Sequence, residues 1–176
     1  MRKLFTFSAF IFLIVASSFQ KKETLTVISS GFTEGAVIPI RYTCEGANVN
    51  PPLNITGAPD NTKSLALIMH DPDAPIKGGF THWVMWNIPV MTDIPEGYKE
   101  AVQGYNGAKK SGYTGPCPPT GTHHYYFRVY ALDVTLSLPA NTDKAGLEKA
   151  MKGHILAKGS IMGLFKKGEY DVNKDK

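Results

Sequence analysis

The sequence predicts a mainly β domain, a β-sandwich or small barrel carrying one peripheral helix near its C-terminal end. Three observations point there. Gly (17) and Pro (12) are abundant among the 176 residues, which favours turns and short strands over a helical bundle. Residues 64–70 and 123–133 have strand length and strand composition, with turn signals at their ends. A single stretch, residues 143–157, repeats apolar side chains at helical spacing. Hydrophobic residues are 43% and charged residues 19% of the chain, enough apolar surface for one ordinary domain core.

Met1-Arg2-Lys3 is a positive start, residues 4–16 are uncharged and rich in Phe and Ile, and Ala16-Ser17-Ser18 supplies small residues. This is the three-part pattern of a secretory signal peptide, with cleavage expected before Phe19. The apolar run is short of the ~20 residues that span a bilayer. Residues 19–176 then form the single domain, with an ordered core over about 25–165. Net charge is +4, and losing Arg2 and Lys3 leaves roughly +2 on the exported chain. So small a surplus argues against a nucleic-acid partner, which needs clustered Lys and Arg. The two cysteines, Cys44 and Cys117, are an even count in an exported chain and permit a disulfide; buried free thiols are the alternative.

Within the domain, residues 25–29 read as a short strand. Residues 36–42 are apolar and β-branched but broken by Pro39, so an edge or bulged strand is expected. Residues 53–56 form another short strand. Residues 64–70, Ser-Leu-Ala-Leu-Ile-Met-His, read as a central strand buried on both faces. Residues 82–88 follow as a strand, stopped by Pro89. The Gly-rich stretch 95–119 is too long for an idle connection. In residues 123–133, period-two geometry puts His123, Tyr125, Phe127 and Val129 on one face. His124, Tyr126, Arg128 and Tyr130 take the other. Asn141-Thr142 offers a helix N-cap, with Asp143 in the first turn. Leu147, Met151, His154 and Ile155 share a helical stripe, and residues 160–165 read as a last strand.

Three stretches carry chemistry. Asp71-Pro72-Asp73-Ala74-Pro75 places two carboxylates where a buried strand must turn. His82-Trp83 opens a strand. Gly115-Pro116-Cys117-Pro118-Pro119 precedes His123-His124-Tyr125, and such a loop can present bare backbone N–H groups to an anion. Taken alone, each has a plain structural explanation in turn chemistry or a hydrogen-bonded histidine.

Together these stretches resemble the phosphatidylethanolamine-binding protein (PEBP) family, also called Raf-kinase-inhibitor-like, in its bacterial YbhB/YbcL-type branch. Tyr42-Thr43-Cys44-Glu45-Gly46, Pro51-Pro52-Leu53 and Gly153-His154-Ile155-Leu156-Ala157 add to the likeness, which runs over about residues 25–165. The resemblance implies a two-sheet β-sandwich with a peripheral helix. It implies a shallow pocket for a phosphate-like small anion or a phospholipid head group, built from Asp71, Asp73, His82, His123 and Tyr125 with Gly115, Pro116 and Pro118 of the loop. It also implies a cis bond at Ala74–Pro75, and analogy with bacterial relatives points to a homodimer. In such a pocket His82, His123 and Tyr125 would donate to the anion. Asp71 and Asp73 would hold the imidazoles oriented and raise their pKa.

The sequence departs from the family where Asn50 precedes Pro-Pro-Leu and where Leu164-Phe165 closes the last strand. Contacts of the eukaryotic members with kinases are therefore not carried over. No cofactor is expected. Binding without chemistry is the leading reading. Inhibition or regulation of a protease or other envelope enzyme, through a protein partner contact, is the alternative. An Asp/His-dependent hydrolase ranks last, because no His-Glu-x-x-His, Gly-x-Ser-x-Gly or Walker signature is present. A metal held by His70, Asp71, Asp73 and His82 is conceivable but has no specific spacing behind it.

Overall fold

A computed structural model describes residues 23–168; the signal-peptide expectation for residues 1–18 lies outside them. Nine strands and one helix follow in chain order: β1 (Glu23–Thr24), β2 (Thr26–Ile28), β3 (Leu53–Thr56), β4 (Ser64–Asp71), β5 (Phe80–Ile88), β6 (Asp93–Ile94), β7 (Val102–Gln103), β8 (Thr122–Leu132), α1 (Lys144–Met151) and β9 (Ile155–Lys166). They form a six-stranded sheet, ordered β1-β9-β8-β4-β5-β7, and a three-stranded sheet, ordered β2-β3-β6. All pairs are antiparallel except β1 with β9. The expected two-sheet sandwich with a peripheral helix is what forms.

Strand β4 explains the layering. Every residue in it is buried, because it lies mid-sheet with a layer on each side. Leu65, Leu67 and Met69 join the core between the two sheets. Ala66 and Ile68 join a second core under Leu147 and Met151 of α1. A continuous apolar run is the signature such a strand leaves in sequence. On β8 the alternation is clean: His123, Tyr125, Phe127 and Val129 are buried, and the intervening residues are half-buried.

Several boundaries differ from expectation. Residues 36–42 contribute one bridge, Val37 to Leu164, and then a 3-10 turn at Ile40–Tyr42; Pro39 lacks the N–H that a strand would need. The helix stops at Met151, six residues early, because Gly153 adopts φ +89° and the chain enters β9 at Ile155. Its N-cap is Asp143, whose side chain accepts from the Gly146 amide at 3.1 Å. Thr142 instead donates its hydroxyl to the Pro139 carbonyl. The Ala74–Pro75 bond is trans, since the described residues contain no cis peptide. Cys44 and Cys117 are joined as a disulfide.

Candidate functional site

Three neighbouring strands bring the site together. Strand order β8-β4-β5 sets the start of β8, the end of β4 and the start of β5 side by side. His123 and Asp71 face the inter-sheet side by simple alternation. His82 would not, because it shares parity with Val84 and Trp86, which face the helix. A bulge reorients it. Met69 pairs with Trp83, and the next β4 residue, His70, pairs with Thr81, so His82 is the extra residue. Bulges re-aim side chains in this way next to functional sites. The His82 ring consequently sits 5.2 Å from that of Tyr125 and 4.8 Å from that of Phe80, both edge-on.

Asp71 is the hub. It is 2% exposed, which a carboxylate tolerates only when fully hydrogen-bonded. Oδ1 accepts from the backbone amides of Asp73 and Ala74, at 2.8 and 3.1 Å, and so fixes the turn. Oδ2 accepts from His123 Nδ1 at 2.7 Å. His82 donates from Nδ1 to the Thr114 carbonyl at 2.8 Å, while the Thr114 amide donates back to the His82 carbonyl. Both imidazoles therefore commit Nδ1 to a fixed acceptor, and the Gly115 backbone is a second hydrogen-bonding neighbour of His82. Burial lowers the His82 pKa, opposed by the Thr114 carbonyl and the Asp71 charge. The expectation that a carboxylate pair raises it is corrected accordingly: no carboxylate touches His82, and desolvation of the cation dominates.

Asp73 is directed elsewhere. Its Oδ2 accepts from the backbone amide and Nδ1 of His124, at 2.8 and 2.7 Å, and these bonds lower its pKa. The pair is exposed and turned from the cavity, because His124 alternates with His123. Tyr125 lies beneath the site, fully buried, and its hydroxyl makes no hydrogen bond of regular geometry despite the nearby Cys117 backbone. Burial, then the charges of Asp71 and Asp73, push its pKa well up. Its ring braces both imidazoles, lying 6.4 Å from His123 in a stacked arrangement.

The loop carrying Gly115 closes the cavity and is clamped to residues 42–48. Gly115 donates to Asn48 Oδ1 at 2.7 Å, Tyr113 Oη donates to the Tyr42 carbonyl, and the Cys44 amide donates to the Pro116 carbonyl. A Cβ on Gly115 would lie 2.6 Å from the Tyr42 carbonyl oxygen, so only glycine permits this approach. The resulting cavity has a volume of about 240 Å³. Asp71, His82, Gly115, Pro118 and His123 line it; Asp73, Pro116 and Tyr125 do not. Ala74, Pro75, Ile76, Phe80 and Pro119 make its apolar wall. Ile76 is 56% exposed at the rim. Sequence reasoning missed Phe80, Ile76 and Thr114; the Pro-rich turn hinted at an apolar wall, but no pattern announces a bulge.

The conceivable metal set is not assembled. His70 faces the opposite side of the sheet, with Nδ1 3.3 Å from Thr81 Oγ1. No group of three or more His, Cys, Asp or Glu among the described residues is placed to hold a metal ion.

Comparison with known proteins gives a consistent outcome. The sequence model of the phosphatidylethanolamine-binding protein family matches residues 28–166. A UPF0098 protein of Pyrococcus horikoshii is 49% identical over 159 residues, spanning 84% of this chain and 79% of that one. A UPF0098 protein of Chlamydia trachomatis is 42% identical over 149 residues, spanning 81% and 99%. Among solved structures, the phosphatidylethanolamine-binding protein homolog CT736 of Chlamydia trachomatis aligns with a TM-score of 0.79 at 41% identity, covering 82% of this chain and 98% of its own. Escherichia coli YbcL, described as a member of the mammalian PEBP family, aligns at 0.74 with 30% identity, covering 83% and 99%.

Proposed function

The chain belongs to the phosphatidylethanolamine-binding protein family, and from that premise we propose that it is an exported binding protein for phosphate-type anions bearing an organic group, such as phosphorylated head groups. The observation that carries this reading is the pair of imidazoles lining one cavity, each with Nδ1 committed to a fixed acceptor. A neutral Nε2 is a lone pair and cannot donate; a protonated one is a charged donor. The site therefore takes an anion together with a proton. The Asp71 carboxylate lies 2.7 Å from His123 Nδ1, on the side of the ring away from the anion. The apolar wall of Pro75, Ile76, Phe80, Pro118 and Pro119 suits an organic substituent beside the anionic group. This reading requires binding alone and no bond to be made or broken. Export rests on the character of residues 1–18 alone.

The test is a titration of the 15N-labelled protein with sulfate, which keeps its charge between about pH 8 and pH 6, the range over which histidine titrates. Affinity is expected to strengthen as pH falls, because His82 starts below its ordinary pKa and must gain a proton. His82→Ala and His123→Ala are each expected to weaken binding by tenfold or more with the fold intact. Unchanged affinity in both variants would place the site elsewhere.

A further inference from the structure

The reverse face of the large sheet carries a second group of donors. Alternation along β8 turns Arg128 and Tyr130 away from the pocket face. Their direct partners on β9 are Ser160 and Lys158, and Lys158 in turn pairs with Thr24 of β1. Cross-strand neighbours on one face stand about 5 Å apart, and residues two apart along a strand about 7 Å. These five side chains thus border one groove, of about 390 Å³. The groove exists because β1 pairs with β9 for only two residues and then crosses to the small sheet. The crossing runs over Gly159, where a Cβ would lie 2.2 Å from the Leu25 carbonyl oxygen. His123 and Arg128 are five residues apart on a strand, roughly 16 Å, and on opposite faces.

The chemistry of the group is one-sided. Arg128 and Lys158 are cations, and Tyr130, Ser160 and Thr24 bring hydroxyls. Among the described side chains, no carboxylate lines the groove. Among the described residues, neither Arg128 nor Lys158 has an acid within 4.0 Å. Glu148 of α1, whose charge Tyr130 senses, is paired with Lys144 at 3.0 Å. Arg128 lies over the Tyr126 ring, 5.0 Å from its centroid, an arrangement that holds the guanidinium plane and leaves its N–H edge available. Burial raises the Tyr130 pKa, so its hydroxyl keeps its proton at every physiological pH.

We infer that this groove is a second anion site, built for a phosphoryl group and independent of the histidine pocket. A carboxylate presents its acceptor sites in one plane, which suits donors arriving from one side. A tetrahedral oxyanion offers three or four acceptor oxygens to donors arriving from three strands. The two sites differ in how they respond to pH. Arginine and lysine are fully charged from about pH 6 to pH 8, so the groove binds across that range, whereas the pocket must first take up a proton.

The experiment follows backbone amide shifts of the full chain during titration with sulfate at about pH 8 and pH 6. Residues 128, 130, 158 and 160 are expected to respond equally at both pH values, while residues around His82 and His123 respond mainly at the lower one. The double variant Arg128→Gln, Lys158→Gln should lose groove affinity about tenfold or more, as expected for removing charged donors. Its pocket response at the lower pH should persist, which also reports that the fold is intact. Arg128→Lys, which keeps the charge, should retain groove affinity within about threefold. Inorganic phosphate and glycerol 3-phosphate then separate the two sources of the group. Equal affinity marks free phosphate, and a preference for the glycerol ester marks a head group; either requires the groove. A silent groove at millimolar anion, or a groove response that survives the double substitution, overturns the inference. Loss of the histidine-pocket response alone bears on the proposed function and not on this site.

Discussion

Asp71 shows how one side chain can hold a site in two directions. One oxygen ties down the turn that follows β4, and the other orients His123. Asp71→Asn separates these tasks. The amide oxygen can still accept from the turn, but the amide NH₂ then meets the His123 Nδ1–H, donor against donor. We expect a stability loss of about 1–3 kcal/mol from the disrupted buried pair, read as a lower denaturant midpoint. Sulfate affinity is expected to fall about tenfold or more, because the imidazolium that donates to the anion loses the carboxylate counter-charge at its Nδ1. At this scale the sequence was informative about identity and misleading about partners. Asp71, His82 and His123 were legible as chemistry. That Asp73 serves His124, and that Tyr125 braces rings from beneath, depends on which face each residue takes. Alternation settles this for β8 but not for a turn.

Among the elements, the loop that carries Gly115 is the one that makes the pocket from a sheet edge. It is fastened to residues 42–48 by three hydrogen bonds and the Cys44–Cys117 disulfide, which closes a separation of 73 residues. Replacing both cysteines by Ala is expected to lower unfolding free energy by roughly 4 kcal/mol in the chain-entropy picture. The hydrogen bonds remain, so sulfate affinity should change less than threefold; thermal and denaturant melts alongside the titration check both halves. Strands β4 and β8 were legible from pattern, β4 as an unbroken apolar run and β8 as a period of two. The helix was overextended because Leu147, Met151 and Ile155 fit one stripe, yet Gly153 changes the backbone between them. Strands β6 and β7 have two residues each, too few for any period to register. The bulge at His82 leaves no mark, since inserting one residue looks like ordinary sequence.

For the whole molecule, the fold buries two histidines against their charge. Burial lowers the pKa of His82 and of His70. The unfolded chain then binds more protons than the native state below about pH 6.5, the ordinary histidine value, so their contribution is complete above that pH and is lost as pH falls through their folded pKa values. Equilibrium unfolding from about pH 7.5 down to pH 5.5 should therefore show falling stability, and His82→Gln should flatten the slope. Asp73, whose pKa is lowered, follows the same sign but in a more acidic window. Saturating sulfate should reduce the loss, because an anion that binds the protonated site stabilises the charged native state. A β-sandwich or small barrel was foreseeable from composition and two strong strands, and its two-sheet form from the family resemblance; the basic groove behind β8 was not, because it arises where β1 leaves the sheet.

The proposed function requires that the pocket bind an anion through imidazolium N–H groups. Long-range 1H–15N spectra of the histidine rings, recorded at about pH 7 with and without saturating sulfate, read the protonation of each nitrogen directly. Without anion, His82 should be the neutral Nδ1–H form dictated by the Thr114 carbonyl. With anion, its Nε2 should gain a proton while Nδ1 stays protonated. If sulfate binds and Nε2 of both His82 and His123 remains an unprotonated lone pair, imidazolium N–H groups do not hold the anion and the proposed function fails.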